Sequence, residues 1–301
     1  MRLNSLHLIL TYQCTFECDH CFVWGSPWQD GTMQYRDIQS ILYQAKILGT
    51  INWIYFEGGE PTILYPILLK SVQVAHSAGF NVGLVSNAYW ATSQEDAVIW
   101  LQPFKYLVQD FSISSDLYHY SEKLSQQAQF AAAAAAELGI PTGIISIASP
   151  EIKLTSPSSG MLPPGESCLM YRGRAAVKLS PCASHHPWEE FNSCPHEDLV
   201  EPGRVHVDPL GNIHICQGIS LGNVFEKPLQ DIVDEYLPQS HPILGSLHQG
   251  GPMALVEKYE VPHEEAYADA CHLCYSTRIA LRDQFPDILT PDQVYGVYNL
   301  N

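Results

Sequence analysis

Positive charge is scarce in this chain. Fifteen Lys and Arg stand against 32 Asp and Glu, a formal net charge of -17 over 301 residues. Such a surface repels phosphate backbones, so nucleic acid is not expected as a main partner. Charged residues of both signs make up only 16%, which argues against long disordered arms. Long apolar runs are missing too. None reaches the length that crosses a bilayer, and residues 1–10 lack the apolar region and cleavage site of a secretion signal. A cytoplasmic protein with no membrane partner is expected. Nine Cys in a reducing compartment then favour metal ligation over disulfides. A hydrophobic share of 46% is enough for a sizeable core, as one large domain with an appendage or as two domains.

Strand-like and helix-like segments alternate through the first 180 residues. Strands are expected at 7–11, 51–57, 81–86, 106–114 and 142–149, with a sixth at 176–179. Ile38, Ile41, Leu42, Ala45 and Leu48 share one helical face. Val72 and Ala75 lie on a helix stopped at Gly79. Thr92 and Glu95 have capping-box spacing for a helix to Leu101. Residues 125–138 form an alanine-rich helix stopped by Gly139 and Pro141. This rhythm predicts an α/β fold with a parallel sheet, and such sheets bind ligands at the C-terminal ends of their strands. Residues 150–165, rich in Pro, Ser and Gly, read as a loop or lid. Beyond about residue 182 the pattern changes. A hairpin is expected over 204–216, a helix over 229–236, and a last helix from Cys271 toward Phe285.

The unusual residues follow strand ends. Cys14-Thr-Phe-Glu-Cys18-Asp-His-Cys21 follows the first strand and Gly58-Gly59-Glu60-Pro61 the second. Ser86-Asn87 ends the third strand, and Ser114-Ser115-Asp116 the fourth. Three thiolates on a C-x3-C-x2-C loop can hold three irons of a [4Fe–4S] cubane, leaving one iron open. A zinc site completed by His20 is the alternative.

With its triplet after a first strand, the sequence resembles the radical S-adenosylmethionine (SAM) superfamily, in which an aromatic usually precedes the third Cys. His20 stands in that place, and Phe22 follows the Cys. The resemblance implies a partial (β/α)6 barrel in which the cluster on Cys14, Cys18 and Cys21 binds SAM and reduces it. The resulting 5′-deoxyadenosyl radical abstracts hydrogen from a substrate. Gly58, Gly59 and Glu60 match the motif that contacts the methionine ammonium. Ser86, Asn87, Ser114 and Asp116 resemble strand-end SAM contacts. The family often supplies a cation to the SAM carboxylate, yet no Arg occurs between Arg36 and Arg172. Arg174 is the candidate taken here, with Arg172, Lys123 and Lys153 behind it.

Cys194, Cys216, Cys271 and Cys274 form a second set, one on an approach, one on the hairpin and two as C-x2-C. This resembles the twitch or SPASM-type extension, which implies an auxiliary [4Fe–4S] cluster; a zinc ribbon is the alternative. The expected organisation is a barrel over 1–180 and a small α+β iron–sulfur extension over 181–301. Cys168 and Cys182 are left over and read as small buried hydrophobes, with a substrate-facing thiol or an extra ligand as the alternative. An electron donor such as flavodoxin or ferredoxin is implied. With the cluster loop starting at residue 14, a small-molecule substrate is favoured over a peptide. The substrate and any catalytic side chain stay open.

Overall fold

The computed structural model describes residues 1–122, 124–150 and 165–298. Six strands run parallel in chain order: β1 (Ser5–Ile9), β2 (Trp53–Glu57), β3 (Asn81–Ser86), β4 (Asp110–Ser114), β5 (Thr142–Ile147) and β6 (Gly165–Ser167). Helices α1 (Tyr35–Leu48), α2 (Tyr65–Ser77), α3 (Gln94–Leu101) and α4 (Gln126–Leu138) connect the first five. This is the expected α/β partial barrel. The helices bury the faces that their periodicity predicts: Ile38, Ile41, Leu42 and Ala45 of α1 join the same core as Leu6 and Leu8 of β1. Capping is local chemistry. Ser125 Oγ accepts from Ala128 N at 3.1 Å to start α4, and Gly139 at φ 71° ends it. Ser93, one residue after the expected Thr92, caps α3 by accepting from Asp96 N at 3.1 Å.

One expectation needs correction. The sixth strand is Gly165–Ser167, and residues 174–178 form a helix, α5 (Arg174–Lys178). Ala175 and Ala176 are good helix formers, and β branching at Val177 alone does not outweigh them. The loop read over 150–165 lies almost wholly outside the described residues, as do Lys123 and Lys153.

The C-terminal part adds a short pair, β7 (His186–Pro187) with β11 (Ala266–Tyr267), and a longer meander. The meander is β8 (Arg204–Val207), β9 (Asn212–Cys216) and β10 (Ile219–Asn223). β8 pairs in parallel with β1, so one nine-stranded sheet runs β10-β9-β8-β1-β2-β3-β4-β5-β6 across the boundary expected at residue 180. Helices α6 (Leu229–Asp234), α7 (Leu244–Tyr259) and α8 (Ala270–Leu281) complete the chain. A second core of Ile9, Tyr12, Ile215, Leu247 and Tyr275 joins these elements to the cysteine loop. Among the described residues no helix is long and apolar enough to cross a membrane.

Inside the barrel, Gly83 of β3 leaves room for a ring. A Cβ there would lie 2.2 Å from the Tyr55 side chain, which reaches across to donate its hydroxyl to Asp110 at 2.9 Å. His7 stacks on Tyr55 with centroids 4.5 Å apart. These rings lie beside the polar strand ends.

Candidate functional site

The cysteine loop is fixed by backbone bonds before any side chain acts. Cys14 N donates to Ser26 O at 3.0 Å, and Cys21 N to Cys18 O at 3.1 Å. The loop from strand β2 packs directly on it: Gly59 N donates to Thr11 O at 2.7 Å and Glu60 N to Gln13 O at 2.9 Å. A Cβ at Gly59 would fall 2.2 Å from Gln13 O, so this close approach needs glycine. Cys14, Cys18 and Cys21 then face one cavity of about 240 Å³. Their sulfurs are donor-poor. Cys14 Sγ accepts from Phe16 N at 3.4 Å and Asn87 Nδ2 at 3.7 Å, and Cys21 Sγ from Gly25 N at 3.1 Å. Burial, then the nearby Glu60 and Cys21, push the Cys14 thiol up to about 12. Burial, and next the Cys21 and Cys14 sulfurs, push Cys18 higher still. Cys14 and Cys18, so raised, are poised to ionise only beside a cation, and with the Cys21 sulfur on the same cavity this fits an iron–sulfur cluster.

The strand-end residues reach the same cavity, where His20, Phe22, Gly58, Gly59, Glu60, Ser86, Asn87, Ser114 and Asp116 are all on the wall. Their hydrogen bonds add detail that spacing could not supply. Glu60 is fully buried and already satisfied. Its Oε1 accepts from Thr62 N, Thr62 Oγ1 and Ser86 Oγ at 3.1, 2.6 and 3.0 Å, and its Oε2 from Asn87 N at 2.8 Å. Burial raises its pKa against these bonds. Glu60 therefore ties the second strand end to the third. Asp116 accepts from His119 Nδ1 at 2.8 Å and lies 3.3 Å from His20 Nε2. Burial opposes its ionisation, yet the two imidazoles hold it well below the usual carboxylate range.

Arg174 is turned away from the cavity. Its Nη1 donates to Cys18 O at 2.7 Å and its Nη2 to Gly25 O at 2.9 Å, while Arg174 N donates to Cys21 O at 2.9 Å. The guanidinium lies 5.2 Å from the Trp24 ring centre. Arg174 thus clamps the cysteine loop from behind, in place of the SAM carboxylate contact expected for it. Gly173 makes this possible: at φ 59°, a Cβ would sit 2.6 Å from Cys21 O. Gly173 directly before Arg174, in Tyr-Arg-Gly-Arg, was the available signal in the sequence. The guanidiniums on the cavity wall are Arg172 and Arg204.

The same cavity wall carries residues that strand-end reasoning missed. His206 Nε2 lies 3.0 Å from Glu57 Oε1, and His7 Nδ1 lies 3.4 Å from Glu57 Oε2. Arg204 Nη1 is 3.2 Å from His206 Nδ1. Arginine only donates, so Nδ1 accepts and the His206 proton sits on Nε2, toward Glu57. That tautomer leaves no His206 lone pair for a metal ion at this trio. Alternation along β1, β2 and β8 places His7, Tyr55, Glu57, Arg204 and His206 on inward-facing positions, but only the pairing of these strands brings them to one place.

Cys194, Cys216, Cys271 and Cys274 all line a second, smaller pocket with Arg172 and Arg278. Cys216 ends β9, and Cys271 and Cys274 lie in the first turns of α8. Asp269 caps that helix by accepting from His272 N at 2.7 Å. Burial and then the neighbouring Cys216 and Cys274 push Cys194 up to about 12. Burial and then Asp269 raise Cys271. Four thiols on one pocket fit a metal centre, and the buried Arg278 and mostly buried Arg172 would offset its negative charge. Cys168 lies on the wall of the main cavity, and Cys182 is exposed.

Residues 8–147 match the family model of the Radical SAM superfamily. This stretch is a radical SAM domain. The chain is 28% identical to YydG of Bacillus subtilis (strain 168), named for peptide biosynthesis, over 117 residues, 38% of this chain and 37% of YydG. It is 32% identical to a Pyrococcus furiosus protein named as modifying the cofactor of a tungsten-containing aldehyde ferredoxin oxidoreductase. That match covers 95 residues, 31% of this chain and 26% of the relative. The matched stretches thus span about a third of these relatives. The solved structure of anSMEcpe with AdoMet and a Cp18Cys peptide aligns with a TM-score of 0.51. It covers 94% of this chain and 96% of that one at 11% identity, a likeness of fold. The radical SAM domain carries the cysteine triplet, the glycine motif and the polar strand ends in family order.

Proposed function

We propose that this chain is an enzyme that cleaves SAM reductively at a [4Fe–4S] cluster on Cys14, Cys18 and Cys21 and modifies a peptide. The observation that carries this reading is the single cavity, within a radical SAM domain, onto which the three thiols and the polar strand ends converge. When bound, the cluster supplies the electron that splits SAM into a hydrogen-abstracting radical.

The chain's own residues have separable parts in this reading. Gly58 and Gly59 bring backbone carbonyls close enough to accept from the methionine ammonium. Glu60 holds that loop to Ser86 and Asn87. Arg174 and Gly173 hold the cysteine loop. His20, Phe22, Ser114 and Asp116 shape the SAM-facing wall, while His7, Glu57 and His206 face the substrate. Cys194, Cys216, Cys271 and Cys274 hold an auxiliary cluster, which favours an oxidation or bond formation. A flavodoxin or ferredoxin serves as reductant. Likeness to YydG supports a peptide over the small molecule expected from sequence.

The test is anaerobic reconstitution followed by dithionite and SAM. Wild type is expected to release 5′-deoxyadenosine, and folded Cys18→Ala none. Equal release by the variant would remove the assignment. A mass change on a peptide encoded beside the gene supports the peptide reading, and turnover of a metabolite extract alone supports the small molecule.

A further inference from the structure

Arg172 stands between the two cysteine sets. Among the described residues it is the one guanidinium that lines both pockets. Its Nη1 donates to Cys216 Sγ at 3.3 Å and to Glu197 Oε1 at 3.3 Å. Its guanidinium carbon lies 5.4 Å from the ring centre of Phe22, the residue after Cys21. Glu197 also accepts from Arg204 at 3.1 Å, Arg204 meets His206 at 3.2 Å, and His206 meets Glu57 at 3.0 Å. A continuous run of polar contacts therefore leads from a carboxylate in the main cavity to a sulfur of the second set. Arg172 is its last link.

Four thiolates around a cubane leave a negative centre, and reduction adds one more negative charge. A buried cation bonded to one sulfur stabilises the reduced form more than the oxidised form. Arg278 lies beside Cys274 and lines the second pocket but not the main cavity, with its Nη1 donating to Gln217 O at 2.8 Å. Arg172 also faces the cavity where a substrate would lose an electron.

We propose that Arg172 is a positioning residue that raises the reduction potential of the second centre, fitting it to accept an electron from the main cavity. This rests on the auxiliary-cluster reading above. The balance is one electron and one proton: the carbon radical left after hydrogen abstraction gives its electron to the oxidised second cluster, and the cation so formed closes to a double bond by releasing a proton from the neighbouring atom to solvent.

The experiment is an EPR-monitored redox titration of reconstituted full-length protein, compared with Arg172→Gln and Arg172→Lys. Metal content is measured on the same samples. The Gln variant is expected to shift the second cluster to lower potential and leave the first unchanged, and the Lys variant to restore most of the shift. Loss of the second cluster from the Gln variant but not the Lys variant makes Arg172 a structural support of that cluster and overturns the inference. Unchanged potential with both clusters loaded overturns the inference alone, as does loss of the second cluster from both variants. One zinc in place of the second cluster overturns the auxiliary-cluster reading and this inference with it.

Discussion

Two carboxylates expected to touch SAM are engaged by the protein itself, and their substitution should be felt in stability. Glu60→Ala would strand the Thr62, Ser86 and Asn87 donors in a buried site. Each unsatisfied buried donor costs about 1–3 kcal/mol, so a large fall in the urea midpoint is expected. A midpoint within error of wild type would return Glu60 to a pure ligand role. Asp116 adds a pH signature. Its folded pKa lies below the ordinary 3.8, so its stabilisation is complete above that value and fades as pH falls below it. Apo wild type should therefore lose stability more steeply than Asp116→Asn between about pH 5 and pH 2. Parallel acid limbs would show that His20 and His119 do not hold the charge. Arg174→Met leaves the Cys18 and Gly25 carbonyls without their charged donor, a loss of about 3 kcal/mol or more. Slower cluster uptake should accompany it; full stability would sink the clamp.

At the scale of elements, the close approaches rest on glycines. Gly173→Ala would drive a methyl into Cys21 O and Phe22, lifting α5 from the cysteine loop. Gly251, at φ 63°, does the same for the second set: a Cβ there would sit 2.2 Å from Ser193 N, next to Cys194. Gly251→Ala should loosen the second metal centre while sparing SAM cleavage, checked by iron content against 5′-deoxyadenosine yield. Equal iron in both proteins would contradict it. The barrel elements were legible because each carries its own period and cap, as with Ile38 to Ala45 and Ser125 to Gly139. The first cysteine set was legible because its close spacing groups it, and the second because it resembles the twitch or SPASM-type extension. The third group was not. His7, Glu57 and His206 come from strands far apart in sequence, and only the register of β8 on β1 and β1 on β2 brings them together. Arg174 was misdirected for a related reason: a helix start cannot be told from a strand in Arg-Ala-Ala-Val-Lys, and the two point the side chain differently.

For the whole molecule, the metal count decides most. Two cubanes on seven cysteines predict about eight irons per chain. Cys14, Cys18 and Cys21→Ala together should leave about four, with the C-terminal half folded. A wild type with about four irons and one zinc would make the second pocket a structural zinc site, one whose chelation unfolds it. The pairing of β8 with β1 bears on how the two halves depend on each other. The strand bearing His7 is central only because residues 204–207 lie against it. A protein ended by proteolysis near residue 190 would keep every ligand of the first centre, yet present β1 as a bare rim of open N–H and C=O groups. Rims of that kind recruit other chains, so the shortened barrel should precipitate or self-associate. The second half would then act as a built-in chaperone for the first.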